Sequence, residues 1–277
     1  MNIVLISDEH YVVQTAVTLQ SFFEHNEGCH DIYFVTTGIK DNSRLKLINL
    51  CRLHNSFFNY LCLEDHKLDP YDGIGFWSKY TFMKIFIPEL LPSYVDKVLY
   101  LDVDMIIKAS LTDLYSIDLG KAGLAAVEDV PNSEIHKRRC CLSPKTVYIN
   151  SGLMLMNMPL WRIEFQKNSY LNFVDINKDK YKINDQDIIN SVFENRIIAL
   201  DWKYNVTSAF FGYKSSIWKI YPSQYKLVRK DLAVLHFTNS NKPWLVGSCH
   251  IYKNEWFDIL KRTNFADDIK KYSNSSY

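Results

Sequence analysis

The first 63 residues alternate between two hydrophobic periods, and that alternation narrows the choice of fold more than any other feature of the chain. Ile3 to Ile6 is a short continuous apolar run between polar residues, the pattern of a strand buried on both faces. Val12, Ala16, Leu19 and Phe23 then recur at helical spacing through residues 12 to 25. Asp31 to Thr37 repeats the strand pattern. Asp41 stands where it can cap a helix carrying Leu47 and Leu50, or Leu45, Ile48 and Cys51, and Ser56 to Leu63 reads as a third strand. Strands separated by helices pair in parallel through right-handed crossovers, which predicts an α/β protein with a Rossmann-like sheet. Ligands of such sheets bind outside the carboxyl ends of the strands, where the loop Asp8-Glu9-His10-Tyr11 falls.

The stretch Lys97-Val-Leu-Tyr-Leu-Asp102-Val-Asp104-Met-Ile-Ile107 puts two carboxylates at the end of another apolar, β-branched run. Extended backbone sends side chains two residues apart to the same face, so Asp102 and Asp104 aim one way while Leu101 and Val103 aim the other. Two ionised acids this close repel, and either one takes a proton or a cation sits with them. Hard oxygen ligands favour Mg2+ or Mn2+, which also bind phosphate oxygens. Read alone, the motif also fits a surface turn with two solvated acids. An aspartyl phosphotransferase begins with Asp-x-Asp too, but its motif wants Thr or Val two residues after the second acid, where this chain has Ile106.

Composition limits the remaining classes. A chain of 277 residues, 47% hydrophobic, can bury a large core in one big domain or two small ones. With 32 basic and 31 acidic residues, and no like-charge run longer than Lys137-Arg138-Arg139, nucleic acid is not expected as a partner. The six cysteines contain no Cys-x-x-Cys pair, which suits reduced thiols in a reducing compartment. The apolar run at the N-terminus is too short for a signal peptide, and no segment approaches the ~18 apolar residues of a membrane span. A cytoplasmic protein is expected, in which the glycosylation sequons Asn205-Val-Thr207 and Asn274-Ser-Ser276 carry no weight.

Further along, residues 64 to 77 read as a surface loop, and Ser78 to Phe86 as a helix stopped by Pro88. Leu124 to Val127 is a strand ending in Glu128-Asp129, a third acidic strand end. Residues 131 to 146 form an irregular polar loop whose Lys-Arg-Arg cluster reads as solvated surface. Thr146 to Gly152 is a strand that breaks at Asn150 and Gly152. Met154, Met156 and Met158 read as core filling. A helix from about Pro159 carries Trp161 and Phe165, and Asn184-Asp-Gln-Asp187 opens an apolar helix with Ile188, Ile189 and Val192. Asp185 and Asp187 suit capping and the helix dipole.

Taken in order, Asp8 after the first strand, Leu99-Tyr-Leu-Asp102-Val-Asp104, Asn150-Ser-Gly152, Asn184-Asp-Gln-Asp187 and His236-Phe-Thr-Asn239-Ser-Asn-Lys242-Pro-Trp244 resemble glycosyltransferase family 8. This group of retaining sugar transferases includes bacterial lipopolysaccharide galactosyl- and glucosyltransferases and glycogenin. Ile87 to Pro92 and Leu200-Asp-Trp-Lys-Tyr-Asn205 also look like segments of its bacterial branch. The resemblance runs from residue 1 to about 260. It implies a GT-A fold, a mixed sheet flanked by helices with a smaller C-terminal helical segment. It also implies Mn2+ (or Mg2+) held by Asp102, Asp104 and His236 together with the diphosphate of a UDP-hexose, with Val103 in the donor site.

Lys242 would contact the pyrophosphate and stabilise the leaving group. Asp8 and Tyr11 match the positions that hold the uridine, with Tyr11 stacking. Asn150, Asp185 and Gln186 match the sugar pocket, with Gln186 nearest the reacting carbon, and Asp129 matches an acceptor position. Because an amide is a poor nucleophile, retention is expected to run by front-face attack, with the leaving phosphate taking the acceptor's proton.

The chain departs from the family pattern at three places. Glu9 and His10 stand where an acid and an Asn are usual, Lys84 replaces an Arg that touches donor sugar and phosphate, and Asn239 replaces a Gly. Lys84 keeps the charge without the planar fork, and Asn239 is tolerated if its backbone is left-handed. Residues 1–250 are expected to form the catalytic domain. Residues 251–277, with Trp256, Phe257, Lys261, Arg262, Phe265, Lys270 and Lys271, form either a packed helix or a peripheral contact with the inner face of the membrane. The acceptor is expected to be a glycan or lipid-linked glycan of the bacterial surface. The alternative to a transferase is a module that binds nucleotide sugar or glycan without turnover.

Overall fold

The computed structural model describes residues 1–72, 79–166, 184–211 and 217–270. The expected alternation is present: β1 (Asn2–Ile6), a helix Val12–His25, β2 (Asp31–Thr36), a helix Asp41–Leu53 and β3 (Phe57–Cys62). There follow β4 (Lys97–Leu101), β5 (Met105–Ile107), β6 (Leu124–Glu128), β7 (Ile149–Asn157), β8 (Ile197–Ala199), β9 (Val206–Thr207) and β10 (Val234–His236). Seven strands make one sheet in the order β3-β2-β1-β4-β7-β6-β8, and β5-β10-β9 make a small second one. Strands β1 to β4 are mutually parallel where they pair. β7 runs antiparallel to both β4 and β6, so the sheet is mixed.

This topology puts the carboxyl ends of β1, β4 and β6 on the same rim as the amino end of β7. Leu101 lies opposite Leu153, and the Asp102 amide donates to the Gly152 carbonyl at 2.7 Å. Period-two patterning divides the core. Ile3, Leu5, Leu99 and Leu101 face a cluster with Val17, Leu47, Trp256 and Leu260, whereas Val4, Val98, Tyr100, Met154 and Met156 face one with Phe82, Trp161 and Ile188. The methionine run is core, as expected, and all six cysteines are free thiols.

Several local expectations change. Pro88 does not stop the preceding segment: a 3-10 helix Lys79–Phe86 passes into a short α-helix Ile87–Leu90 with Pro88 in its first turn, where its missing N–H costs no hydrogen bond. Residues 65 to 71, expected as loop, form a 3-10 helix. β7 does not break at Asn150 or Gly152 but runs through both. The segment 131–146 contains a helix Ser133–Arg139, and its basic cluster is not all solvated: Lys137 is buried, Arg139 reaches an internal carboxylate and Arg138 faces out. Asp41 is the first residue of its helix and not the cap. The Glu9 carboxylate serves that end instead, accepting from the Lys40 amide at 2.9 Å and the Ser43 hydroxyl at 3.0 Å.

At the C-terminus, Trp256 and Phe265 are each 1% exposed in the core, and Arg262 forks onto both oxygens of Glu24 at 2.7 and 2.8 Å. Within the described part of this segment, residues 251–270, these two rings are used in packing and are not presented to a surface. Ser78, Lys271 and the sequon Asn274–Ser276 lie outside the described residues. Among the described residues, no helix is long and apolar enough to cross a membrane.

Candidate active site

A cavity of about 510 Å³ opens on this rim and is lined by Asp8, Tyr11, Lys84, Asp102, Val103, Asp104, Asn150, Asp185, Gln186, His236 and Lys242. Eleven of the residues singled out in the sequence therefore share one wall system. Asn239 does not join them: it sits on an exposed bend, and its backbone is not left-handed. Asp129 lies just outside the lining and is tied to it by the Gln186 amide, which donates to its carboxylate at 3.0 Å.

Asp102 and Asp104 converge, but strand alternation is not the reason. β4 ends at Leu101, and residues 102–104 form a bend into β5. The Thr18 hydroxyl holds this bend, 2.8 Å from the Val103 carbonyl and accepting from the Met105 amide at 3.3 Å. β10 pairs antiparallel with β5, setting His236 opposite Met105. As a result, His236 Nε2 lies 3.1 Å from Asp104 Oδ1 and 3.5 Å from Asp102 Oδ2.

Lys242 Nζ adds a contact to Asp104 Oδ2 at 2.8 Å. Its loop is fixed two residues on by Trp244, which packs against Phe237, Trp256 and, edge-on, Tyr11. Burial works against ionising Asp104, but His236 and Lys242 more than offset it and hold the carboxyl well below the usual carboxylate range.

Lys84 Nζ lies 3.3 Å from Oδ1, the other oxygen of Asp102, 2.9 Å from Asp185 Oδ2 and 3.2 Å from the Ser151 hydroxyl. Burial disfavours its charge, yet Asp102 and Asp185 together raise its pKa above the ordinary lysine value. The Tyr100 hydroxyl donates to Asp102 Oδ1 at 2.6 Å, and burial followed by the Asp102 charge keeps that phenol protonated. Gln186 is held at both ends of its amide, accepting from the Ser151 N–H at 3.1 Å while donating to Asp129. Asp8 caps the 3-10 turn that carries Tyr11, accepting from the His10 and Tyr11 amides at 2.9 and 3.1 Å.

Asp102, Asp104 and His236 offer three ligand atoms within 4.8 Å of one another. Two carboxylates and an imidazole form an oxygen-rich donor set suited to Mn2+ or Mg2+. The wall behind them is shaped to fit: a Cβ at position 152 would come 2.3 Å from His236 Cε1 and 2.7 Å from Asp102 Oδ2. Four carboxylates, Asp8, Asp102, Asp104 and Asp185, line the cavity with two ammonium groups, Lys84 and Lys242, which leaves an excess negative charge for a cation to balance. The residues present therefore fit a divalent metal.

Sequence reasoning gave no role to Tyr100, Ser151 or Asn205. The contacts of Ser151 and Asn205 join segments far apart in the chain and leave no local pattern, whereas Tyr100 reaches Asp102 only two residues on, a pairing that the period-two spacing of a strand offers. It also placed Asp187 only as a cap. Asp187 does close a capping box with Asn184, but its fully buried carboxylate also accepts from Tyr148 Oη at 2.6 Å, Cys140 Sγ at 3.1 Å and Arg139.

A mixed α/β sheet with a polar cavity at its carboxyl rim and an Asp-Asp-His cluster fits a group-transfer enzyme that uses a divalent metal, and comparison with known proteins identifies the class. The sequence profile of glycosyl transferase family 8 matches residues 2–247. General stress protein A of Bacillus subtilis is 22% identical over 271 residues, spanning 96% of this chain and 94% of that protein. The lipopolysaccharide 1,2-glucosyltransferase of Escherichia coli K12 is 23% identical over 279 residues, covering 99% and 82%. The crystal structure of the galactosyltransferase LgtC with donor and acceptor sugar analogues superposes with a TM-score of 0.80 at 22% identity, covering 95% and 96% of the two chains. The chain belongs to glycosyltransferase family 8. It is a glycosyltransferase with the GT-A fold.

Proposed function

We propose that the protein is a metal-dependent retaining hexosyltransferase that moves galactose or glucose from a UDP-sugar to a glycan of the bacterial surface. The observation that carries the reading is the convergence of Asp102, Asp104 and His236 with Lys242 at one end of a cavity whose other walls bear Asp8, Tyr11, Asp185 and Gln186. Asp102, Asp104 and His236 would hold Mn2+ or Mg2+, which when bound supplies Lewis-acid stabilisation of the departing diphosphate. Lys242 adds a second positive charge where leaving-group charge develops. Asp8 and Tyr11 bind the uridine, and Val103 borders it. Lys84, Asn150 and Asp185 receive the sugar hydroxyls, Gln186 lies against the reacting carbon, and Asp129 orients the acceptor.

Gln186 is a neutral amide engaged at both ends, which disfavours a covalent sugar intermediate and supports front-face attack, with the acceptor's proton passing to the departing phosphate. A lipopolysaccharide 1,2-glucosyltransferase among the relatives favours a lipid-linked or polysaccharide acceptor. The test is UDP release from a panel of UDP-hexoses with Mn2+, with EDTA and with Asp104→Ala. Release from one donor, dependent on Mn2+ and absent in the variant, is expected. Release that survives both EDTA and Asp104→Ala would overturn the metal assignment. A failure of every UDP-hexose either to bind or to turn over would overturn the donor class.

A further inference from the structure

His236 Nδ1, the ring nitrogen facing away from the carboxylates, lies 2.9 Å from Asn205 Oδ1. Asn205 is 1% exposed and immediately precedes β9, which pairs with β10 and sets Thr207 beside His236. An asparagine amide can in principle turn either end to a neighbour, and which end is presented follows from its other contacts. Here those contacts form a chain that ends on an unambiguous donor. The backbone N–H of Gly152 can only donate, and it donates to Asn150 Oδ1 at 3.0 Å. The Asn205 NH2 donates to the same Asn150 oxygen at 2.9 Å. The atom of Asn205 left facing His236 is therefore its carbonyl oxygen, which can only accept.

We infer that Asn205, locked by Asn150 and the Gly152 amide, is the positioning residue that keeps a proton on His236 Nδ1, so that Nε2 is the nitrogen a metal between Asp102 and Asp104 takes as its ligand. The alternative neutral tautomer, protonated on Nε2, would donate to Asp104 and block the ligand atom. A metal-bound imidazole is ordinarily oriented through its second nitrogen in this way. Asn150, expected from the sequence to bind sugar, thereby gains a second task through the oxygen that faces Asn205. The inference rests on the proposed metal site, and the experiment separates the two.

Two measurements are made on the full chain. The first is a 15N–1H spectrum of the imidazole nitrogens in 15N-histidine-labelled protein without metal, with His236 assigned by loss of its signals in His236→Gln. The second is Mn2+ binding followed by the electron paramagnetic resonance of the free ion. In the wild-type protein a protonated Nδ1 is expected at His236, and in Asn205→Leu Nδ1 is expected to lose its proton while Nε2 keeps one. Mn2+ affinity should fall about 10- to 100-fold in Asn205→Leu and Asn150→Leu. It should be retained in Asn150→Asp, which still offers an oxygen to both donors.

A wild-type spectrum with Nδ1 unprotonated overturns the inference whatever the variants do, so it stays refutable even if a leucine variant fails to fold. Equal Mn2+ affinity in wild type and a folded Asn205→Leu also overturns it. Wild-type protein that binds no Mn2+ while Nδ1 is protonated overturns the metal reading and leaves the assignment of the proton standing.

Discussion

Gly152→Ala tests whether the metal cluster depends on a bare backbone behind it. The added Cβ would lie 2.3 Å from His236 Cε1 and 2.7 Å from Asp102 Oδ2, whereas unstrained carbon contacts sit near ~3.5–4.0 Å. The imidazole must therefore retreat by roughly 1 Å or the strand must move. Neither yields easily. His236 is pinned at Nδ1 by Asn205, and the strand at position 152 is tied through its N–H to Asn150 and through its carbonyl to the Asp102 amide.

Overpacking of this kind costs about 1–3 kcal/mol, and each kcal/mol lowers Tm by about 2–4 °C in a chain of this size. A histidine moved that far from Asp102 and Asp104 should lose at least about tenfold in Mn2+ affinity, as when the groups that orient a metal ligand are removed. Gly123→Ala is the control. Its Cβ would meet the Phe193 ring at 2.0 Å within the opposite core, so it should lower Tm comparably and leave Mn2+ affinity alone. If Gly152→Ala bound Mn2+ as tightly as wild type, the tight wall behind the cluster would not matter and the reasoning would fail.

Other consequences are as direct. Lys84→Met strands Asp102 and Asp185 without their shared buried cation and should cost about 3–5 kcal/mol in urea unfolding, a loss that saturating Mn2+ should partly restore by recharging Asp102. Arg139→Met removes one charged donor from Asp187 and leaves Tyr148, Cys140 and the Asn184 amide in place, so about 1.5–3 kcal/mol is expected from the same measurement. Arg262, foremost among its neighbours, holds the Glu24 carboxyl below its ordinary 4.5. The unfolded chain therefore takes up that proton more readily, and the stabilisation is present above pH 4.5 and lost as pH falls through the lowered folded value. For this largely exposed pair, Arg262→Met should cost about 1 kcal/mol or less at pH 7, with the difference from wild type shrinking in acid.

The fold was legible wherever local pattern decides it. The apolar run at Ile3–Ile6, the helical spacing of Val12 to Phe23 and the acid-ended strands before Asp8, Asp102 and Asp129 all rest on near neighbours, and all occur as read. What misled was non-local. Asp102 and Asp104 were expected to converge through strand alternation, yet they converge because the chain bends after Leu101 and because β10 finds β5. No pattern near residue 102 contains that pairing. Gly152 reads as a break in its strand because glycine weakens a strand interior. Its actual constraint is the imidazole of a residue 84 positions later, which only the assembled sheet brings into contact. The Lys-Arg-Arg cluster read as solvated for the same reason: the carboxylate that draws Arg139 inward belongs to Asp187, 48 residues away.

The Asn184-Asp-Gln-Asp187 segment shows why a capping reading and a functional one need not compete. Successive residues of a helix point about 100° apart, so three neighbours at a helix start face three environments. Asp187 turns into the core, closes the capping box and gathers Arg139, Cys140 and Tyr148. Asp185 turns to the cavity wall, in contact with Lys84 and the Ser151 hydroxyl. Gln186 lies between them with its amide held by Ser151 and Asp129. Both are acids in the same first turn, as the helix dipole favours, but only Asp187 closes the capping box while Asp185 spends its carboxylate on Lys84 and Ser151. What separates them is the order of residues within the motif, because the capping box fixes the rotation of the helix and that rotation alone decides which side chain faces the donor. A change at Arg139, Cys140 or Tyr148, none of which lines the cavity, should therefore still disturb Gln186, which does, and the stability and the chemistry of this helix are set by the same few hydrogen bonds.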